Sequence, residues 1–247
     1  MFRLNDGTLV RSASDITAHL ACAHLEQQRL AIARGEREWP RGGPDAHADL
    51  VRRRGDAHER AMFVRLAEEA PGRVVDLSPE FALLDRRELE QAAARTAEAM
   101  RAGSVTLIYQ PTFFDGRWMG RADFLRMGAD GRYEVVDTKL ARQVKPAMVH
   151  QLALYARLAG ASNIAHLILG DGRTETLDLD RFAALHRRVV ARVERTRPVA
   201  TFPEKIAHCD VCDFAGECRA RRVAADDLRL VANLRRDQKT RLLDSGI

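Results

Sequence analysis

Long apolar runs are missing from this sequence of 247 residues. No stretch approaches the roughly 18 apolar residues that a membrane-spanning helix needs, so we expect no membrane partner. The first residues, Met-Phe-Arg-Leu-Asn-Asp-Gly, lack the apolar segment of a signal peptide. Both absences predict a cytoplasmic protein.

Lysine and cysteine are scarce as well. Only 4 of the 40 basic residues are Lys, and the chain has 4 Cys. Four Cys in a cytoplasmic chain argue against a disulfide framework and favour metal or redox chemistry. The net charge of +5 permits nucleic-acid binding without requiring it. The length suits one large domain, alone or with a small appendage.

Two acidic residues are predicted to lie on neighbouring strands. Apolar and polar positions alternate around Asp123 and around Asp137, which is the strand period. Asp130-Gly131 between them is a strong hairpin signal. Lys139 lies two residues after Asp137, so both side chains leave the same face of their strand. Carboxylates suit Mg²⁺ or Mn²⁺, although a solvated hairpin would carry the same residues.

The order of predicted elements is typical of an α/β fold with helix, three antiparallel strands, helix and strand in sequence. A loop is predicted at residues 36–45 from its Gly and Pro content. Caps and periodicity predict helices at 15–33, 46–70, 85–102, 146–159 and 180–195, and strands at 74–77, 105–109, 117–127, 133–138, 164–169 and 174–179.

Three motifs together resemble a known nuclease family. They are Gly120-x-x-Asp123, Asp137-x-Lys139 and Gln151-x-x-x-Tyr155. In this order they are similar to the core of the PD-(D/E)XK nucleases, and in particular to the RecB-type branch that includes the CRISPR-associated iron–sulfur exonucleases. The resemblance covers about residues 10–222. It implies an αβββαβ restriction-endonuclease-like core with a helical N-terminal region and a Cys-stapled C-terminal segment.

The resemblance also implies a catalytic metal site. Asp123, Asp137, the backbone carbonyl of Thr138 and His58 would hold Mg²⁺ or Mn²⁺, with Glu59 as a weaker candidate. His58 belongs to a Gly-x-x-His-Glu sequence on the helix at 46–70. From spacing alone, His58 is equally a surface histidine on a polar helix.

Three further residues complete the expected active site. The resemblance implies that Lys139 positions or activates the attacking water, and that Gln151 and Tyr155 contact substrate phosphate or brace the site. The last two lie one helical turn apart on the helix at 146–159. Helix packing for Tyr155 and solvent exposure for Gln151 are the simpler alternatives.

The cysteines predict a second metal centre. Cys209, Cys212 and Cys218 follow a C-x₂-C-x₅-C spacing, and Cys22 stands alone near the N-terminus. Four thiolates suit either zinc or an iron–sulfur cluster, and spacing does not separate the two. The resemblance implies that all four Cys hold a [4Fe–4S] cluster, with zinc as the alternative.

The last residues, 223–247, predict a helical tail outside the nuclease domain at 1–222. Their ending resembles the second half of a helix-hairpin-helix element, but the hairpin glycines are missing. Relatives of this architecture often continue into a further domain, so the resemblance is compatible with a further domain or a helicase partner, and the sequence does not settle whether the chain is part of a longer protein.

The motifs together predict a metal-dependent DNA nuclease. The resemblance implies an exonuclease that acts on single-stranded DNA in DNA repair, recombination or defence. The alternative is a non-catalytic nucleic-acid-binding scaffold on the same fold, although neither acid nor the lysine of the motif is lost here.

Overall fold

The computed structural model describes residues 1–40, 46–70, 72–78 and 85–246. The chain divides into two compact units. Unit 1 comprises Met1–Thr17 and Pro44–Thr196, and unit 2 comprises Ala18–Gly43 and Arg197–Ile247. The predicted boundary at residue 222 falls inside α7 (Ala215–Ala224) of unit 2, and a functional domain at 1–222 stays a prediction.

Helices and strands alternate along the chain, with several short elements beyond those predicted. In chain order they are β1 Phe2–Arg3, β2 Leu9–Val10, α1 Ala13–Ala21, α2 Ala23–Ala33, α3 Ala46–Glu69, β3 Arg73–Asp76, α4 Arg86–Arg101, β4 Val105–Tyr109, β5 Thr112–Phe114, β6 Met119–Arg121, β7 Phe124–Met127, β8 Tyr133–Lys139, α5 Pro146–Ala159, β9 Ile164–Leu169, β10 Thr174–Asp178, α6 Ala183–Arg195, α7 Ala215–Ala224 and α8 Arg236–Asp244.

A mixed sheet of six strands forms the centre of unit 1, in the order β10-β9-β8-β7-β4-β3. Strands β4, β7 and β8 are antiparallel to their neighbours in this group, whereas β9 runs parallel to β8. Helix α5 connects β8 to β9, as a parallel pair requires. This arrangement confirms the predicted α/β fold with an αβββαβ core.

Local signals explain why the central elements begin and end where they do. Gly131 has φ +75° in the β7–β8 hairpin, and the Asp130 carboxylate accepts the Arg132 amide at 3.0 Å. Helix α5 has Pro146 in its first turn and ends at Gly160, which adopts the left-handed conformation with φ +61°.

Both faces of the sheet are covered, so alternate residues of β8 point into different cores. Val135 packs in the larger core with Leu152 and Leu154 of α5 and with Val189 of α6. Val136 packs on the opposite face in a core that includes Leu66 of α3. Asp137 therefore points to the same side as α5.

Several boundaries differ from the sequence prediction. The helix expected over residues 15–33 is two helices, because Cys22 has φ −159° and ψ 118° and its Sγ accepts the Leu25 amide at 3.4 Å as the N-cap of α2. The strand expected over 117–127 is split into β6, which pairs with β5 in a separate two-stranded sheet, and β7, which belongs to the six-stranded sheet.

Other departures are smaller. Strand β5 was not expected, and a 3-10 turn at Leu179–Phe182 precedes α6. Residues 41–45 of the predicted loop lie outside the described residues. In the C-terminal tail, the described residues contain a 3-10 turn at Leu228–Leu230 and helix α8.

Candidate active site

Two carboxylates meet where β7 and β8 pair. Asp123 immediately precedes β7, and the register sets Phe124 opposite Val136, so Asp123 lies beside Asp137 of β8. The Thr138 amide and hydroxyl both donate to Asp123 Oδ2, at 2.6 and 2.7 Å. These two bonds fix the Asp123 carboxylate against the neighbouring strand.

Asp137 is a buried carboxyl with one unused oxygen. It is 1% exposed, and Lys139 Nζ donates to its Oδ2. Its Oδ1 is buried and has no hydrogen-bond partner in the described part of the chain. Burial, and then the nearby Asp123, raise the pKa of Asp137 to about 7, although Lys139 opposes the shift. The site therefore carries an unbalanced negative charge that favours a bound cation.

Lys139 supplies the positive charge of this cluster. Burial opposes the ammonium form, but the carboxylates of Asp137 and Asp123 outweigh it and raise the pKa of Lys139. Its side chain remains 28% exposed. Lys139 is thus a charged, accessible donor beside the two acids, as the spacing of the motif predicts.

Helix α3 of unit 1 carries His58 and Glu59, and Glu59 lies near Asp123. The Nε2 atom of His58 is buried and has no hydrogen-bond partner within the described ranges. Glu59 accepts a hydrogen bond from Gln110 Nε2. Burial raises the pKa of Glu59, and so does the charge of Asp123, because the two carboxyls lie near each other.

Gln151 and Tyr155 of α5 form a hydrogen-bonded pair. Gln151 Nε2 donates to the Tyr155 hydroxyl at 3.0 Å. Tyr155 is buried, and burial and then Asp137 raise its pKa, so the phenol stays neutral near the acids. A Cβ on Gly120 would lie 2.7 Å from the Tyr155 ring, so the glycine of the first motif makes room for the tyrosine of the third.

Sequence reasoning missed two residues beside this site. Gln110 holds Glu59, and its only sequence signal is the proline that follows it. Arg121 is half-buried, and its side chain has no hydrogen bond or ion pair to any described residue. Its charge lies near enough to Tyr155 to oppose the raised pKa of the phenol. A guanidinium with no such partner among the described residues has the planar donor geometry that suits a phosphate group.

The donor set of this cluster fits a divalent cation, although its side chains are turned toward protein partners. Among the described residues, no three or more His, Cys, Asp and Glu side chains are arranged so that they could hold a metal ion. Lys139 and Thr138 instead occupy one oxygen of each acid. Asp137 Oδ1 and His58 Nε2 are buried and have no hydrogen-bond partner among the described residues. The carboxylate oxygens suit Mg²⁺ or Mn²⁺, whereas imidazole is more often a ligand of transition metals.

The four cysteines lie together in unit 2. They are free, and Cys22, Cys209, Cys212 and Cys218 line one small cavity. Burial raises the pKa of Cys212 and of Cys218, and neighbouring thiols add to both shifts. Four sulfur donors around one cavity are the right number for zinc or an iron–sulfur cluster, without being arranged as a closed ligand set.

No described helix combines the length and the apolar character that crossing a membrane requires.

Comparison with known proteins identifies the family. A search of curated proteins finds no match. A solved structure titled "Crystal structure of SSO0001" is similar, with 16% identity over 86% of each chain and a TM-score of 0.38, which is too low to carry an inference. The family described as the PD-(D/E)XK nuclease superfamily matches residues 17–219, which is more than half of the chain. This chain, with its paired acids and lysine on one β-hairpin, therefore belongs to the PD-(D/E)XK nuclease superfamily.

Proposed function

We propose that this protein is a metal-dependent DNA exonuclease of the RecB-like branch. Membership of the superfamily implies a nuclease that hydrolyses nucleic acid and uses divalent metal ions. The observation that carries the proposal is the buried Asp137, whose pKa is raised to about 7 and whose Oδ1 has no partner among the described residues, next to Asp123 and Lys139.

The residues of unit 1 have distinct roles in this proposal. Asp123, Asp137, His58 and the backbone carbonyl of Thr138 would hold Mg²⁺ or Mn²⁺. A cation bound there supplies Lewis acidity and lowers the pKa of a bound water. Lys139 would position the attacking water and offset negative charge in the transition state.

Gln151, Tyr155 and Arg121 serve the substrate side of the site. The Tyr155 hydroxyl is kept neutral by burial, so it can donate to a phosphate oxygen while Gln151 fixes its orientation. Arg121 offers a planar guanidinium that matches the geometry of a phosphate. The net charge of +5 supports attraction to a polyanion.

A cleavage assay tests the activity and its finer features. We expect degradation of single-stranded DNA labelled at either end, in Mn²⁺ or Mg²⁺, with mononucleotides or short oligonucleotides released from one end. Asp123→Ala should abolish cleavage and still bind DNA, since phosphate contacts come from basic residues. Binding without cleavage by the native chain would favour the non-catalytic scaffold, and internal cuts in circular DNA would exclude a strict exonuclease.

We also propose that Cys22, Cys209, Cys212 and Cys218 hold a [4Fe–4S] cluster in unit 2, with zinc as the alternative. The support is their shared cavity and their spacing. Four free thiols suit the reducing cytoplasm. Because the pKa values of Cys212 and Cys218 are raised, binding of the metal must drive the loss of their protons.

Cys22→Ser tests the cluster without removing the helix cap. Serine is a better N-cap than cysteine, so α2 keeps its start while the sulfur is lost. We expect lower iron and sulfide content and a lower melting temperature. Zinc without iron in the native protein would select the alternative, and no metal in the native protein would refute the site.

A further inference from the structure

Gln110 adopts a backbone conformation that its residue type avoids. Its φ is +54°, in the left-handed region, and the next residue is Pro111. A residue before proline is normally extended, so Gln110 departs from two preferences at once. The other described non-glycine residues with positive φ are Asp226 and Asn233, of types that tolerate this conformation.

The hydrogen bonds of Gln110 show what holds it there. Its backbone amide donates to the Asp123 carbonyl at 2.8 Å, and its side-chain Nε2 donates to Glu59 Oε1. One residue therefore links helix α3 to the chain that carries Asp123. Strain of this kind persists where surrounding contacts over-determine it, and it clusters at functional sites.

A neutral amide is well suited to this position. The Glu59 carboxylate accepts from the Gln110 side chain and lies near the carboxylate of Asp123. Tyr109 also contributes a hydrogen bond to Glu59. A lysine or arginine at 110 would bind Glu59 more strongly but would compete with a cation for the acids. The amide of Gln110 orients the carboxylate and leaves its charge uncompensated.

We propose that Gln110 is a positioning residue that holds the Glu59 carboxylate toward Asp123, so that Glu59 strengthens the binding of the divalent cation. The inference rests on the proposed function, since it assigns Glu59 to the same cation site. Gln110 itself contacts neither cation nor substrate in this assignment. The left-handed backbone is what aims its side chain at α3.

The test separates side-chain positioning from backbone strain. Gln110→Asn and Gln110→Gly both suit a left-handed backbone, so the metal-free protein should be at least as stable as the native chain. Neither side chain reaches Glu59 as glutamine does. We expect Mn²⁺ affinity, measured by calorimetry on the full chain, to fall about tenfold in both variants, the scale seen for groups that orient a metal ligand.

Three further variants complete the experiment. Glu59→Gln should lower Mn²⁺ affinity at least as much, and the double variant Glu59→Gln with Gln110→Asn should lose no more than Glu59→Gln alone. Gln91→Asn, an exposed change of the same type on α4, is the control and should have no effect.

The outcomes are distinguishable. Native Mn²⁺ affinity in Gln110→Asn, or additive losses in the double variant, would overturn the role of Gln110 and leave the nuclease assignment intact. A native chain that binds no Mn²⁺ and cleaves no DNA would overturn the proposed function, and this inference with it.

Discussion

Asp137→Asn is expected to stabilise the metal-free protein while abolishing cleavage. Asp137 is 1% exposed, and burial followed by Asp123 raises its pKa from 3.8 to about 7. In the unfolded chain this carboxyl ionises at the lower pH. The free energy of unfolding of the native chain therefore falls as the pH rises from the pKa of the unfolded state, 3.8, through the pKa of the folded state, about 7. Asparagine has the same shape and no charge, so the variant avoids this loss.

The magnitude follows from the shift. About three pKa units correspond to roughly 4 kcal/mol above pH 7, at about 1.4 kcal/mol per unit. The attraction of Lys139 already lowers this pKa, so the figure is net of the ion pair that the variant loses. At pH 8 the free energy of unfolding should thus be about 4 kcal/mol higher in the variant than in the native chain. At pH 5, where the folded Asp137 keeps its proton but the unfolded carboxyl is ionised, the difference should be about 2 kcal/mol.

Urea unfolding followed by circular dichroism at pH 5 and at pH 8, with EDTA present, measures the two differences in free energy of unfolding. In a separate series with Mn²⁺ in place of EDTA, the metal should raise the stability of the native chain and have little effect on Asp137→Asn. Asp171→Asn is the control, because Arg173 lowers the pKa of this exposed acid and the variant should gain no stability at high pH. A difference that does not change between pH 5 and pH 8, or a variant less stable at pH 8, would refute the reasoning.

Two substitutions test the rest of the site. Lys139→Arg keeps the charge but should lower the single-turnover cleavage rate by at least ~100-fold, because a broad guanidinium cannot take the place of a compact ammonium. DNA affinity, measured in Ca²⁺, should not change. Near-native cleavage would contradict the role of Lys139. Gly120→Ala should destabilise unit 1 by about 1–3 kcal/mol in urea unfolding, because its Cβ would lie 2.7 Å from the Tyr155 ring. Gly55→Ala on α3, where a Cβ meets nothing within 4 Å, should instead be neutral or stabilising, and equal effects at the two glycines would contradict the packing argument.

Elements with local start and stop signals could be predicted from the sequence. The bounds of α5 matched because Pro146 and Gly160 mark them, and the β7–β8 hairpin followed from Asp130-Gly131. The same period-2 pattern placed Asp137 and Lys139 on one face, where their side chains are now in contact. These features depend on residues a few positions apart.

Features set by distant partners could not be predicted. The position of the Asp123 carboxylate depends on Thr138, fifteen residues away, which donates to it. The left-handed Gln110 contradicts the local expectation for a residue before proline, and its partner Glu59 lies 51 residues earlier. The metal-ligand, phosphate-contact and cluster roles of the individual residues stay predictions.

Strands β3 and β10, at the two ends of the six-stranded sheet, have a consequence for self-association. Among the described residues, each strand has a neighbouring strand on one side only, so the backbone N–H and C=O groups of its other side have no strand partner. Such groups can pair with a second chain. Strand β3 has four residues and begins and ends with the charged Arg73 and Asp76, while β10 carries Glu175 and ends at Asp178. Charged residues on edge strands discourage such pairing, and the acids of β10 would repel one another if two copies paired through that edge.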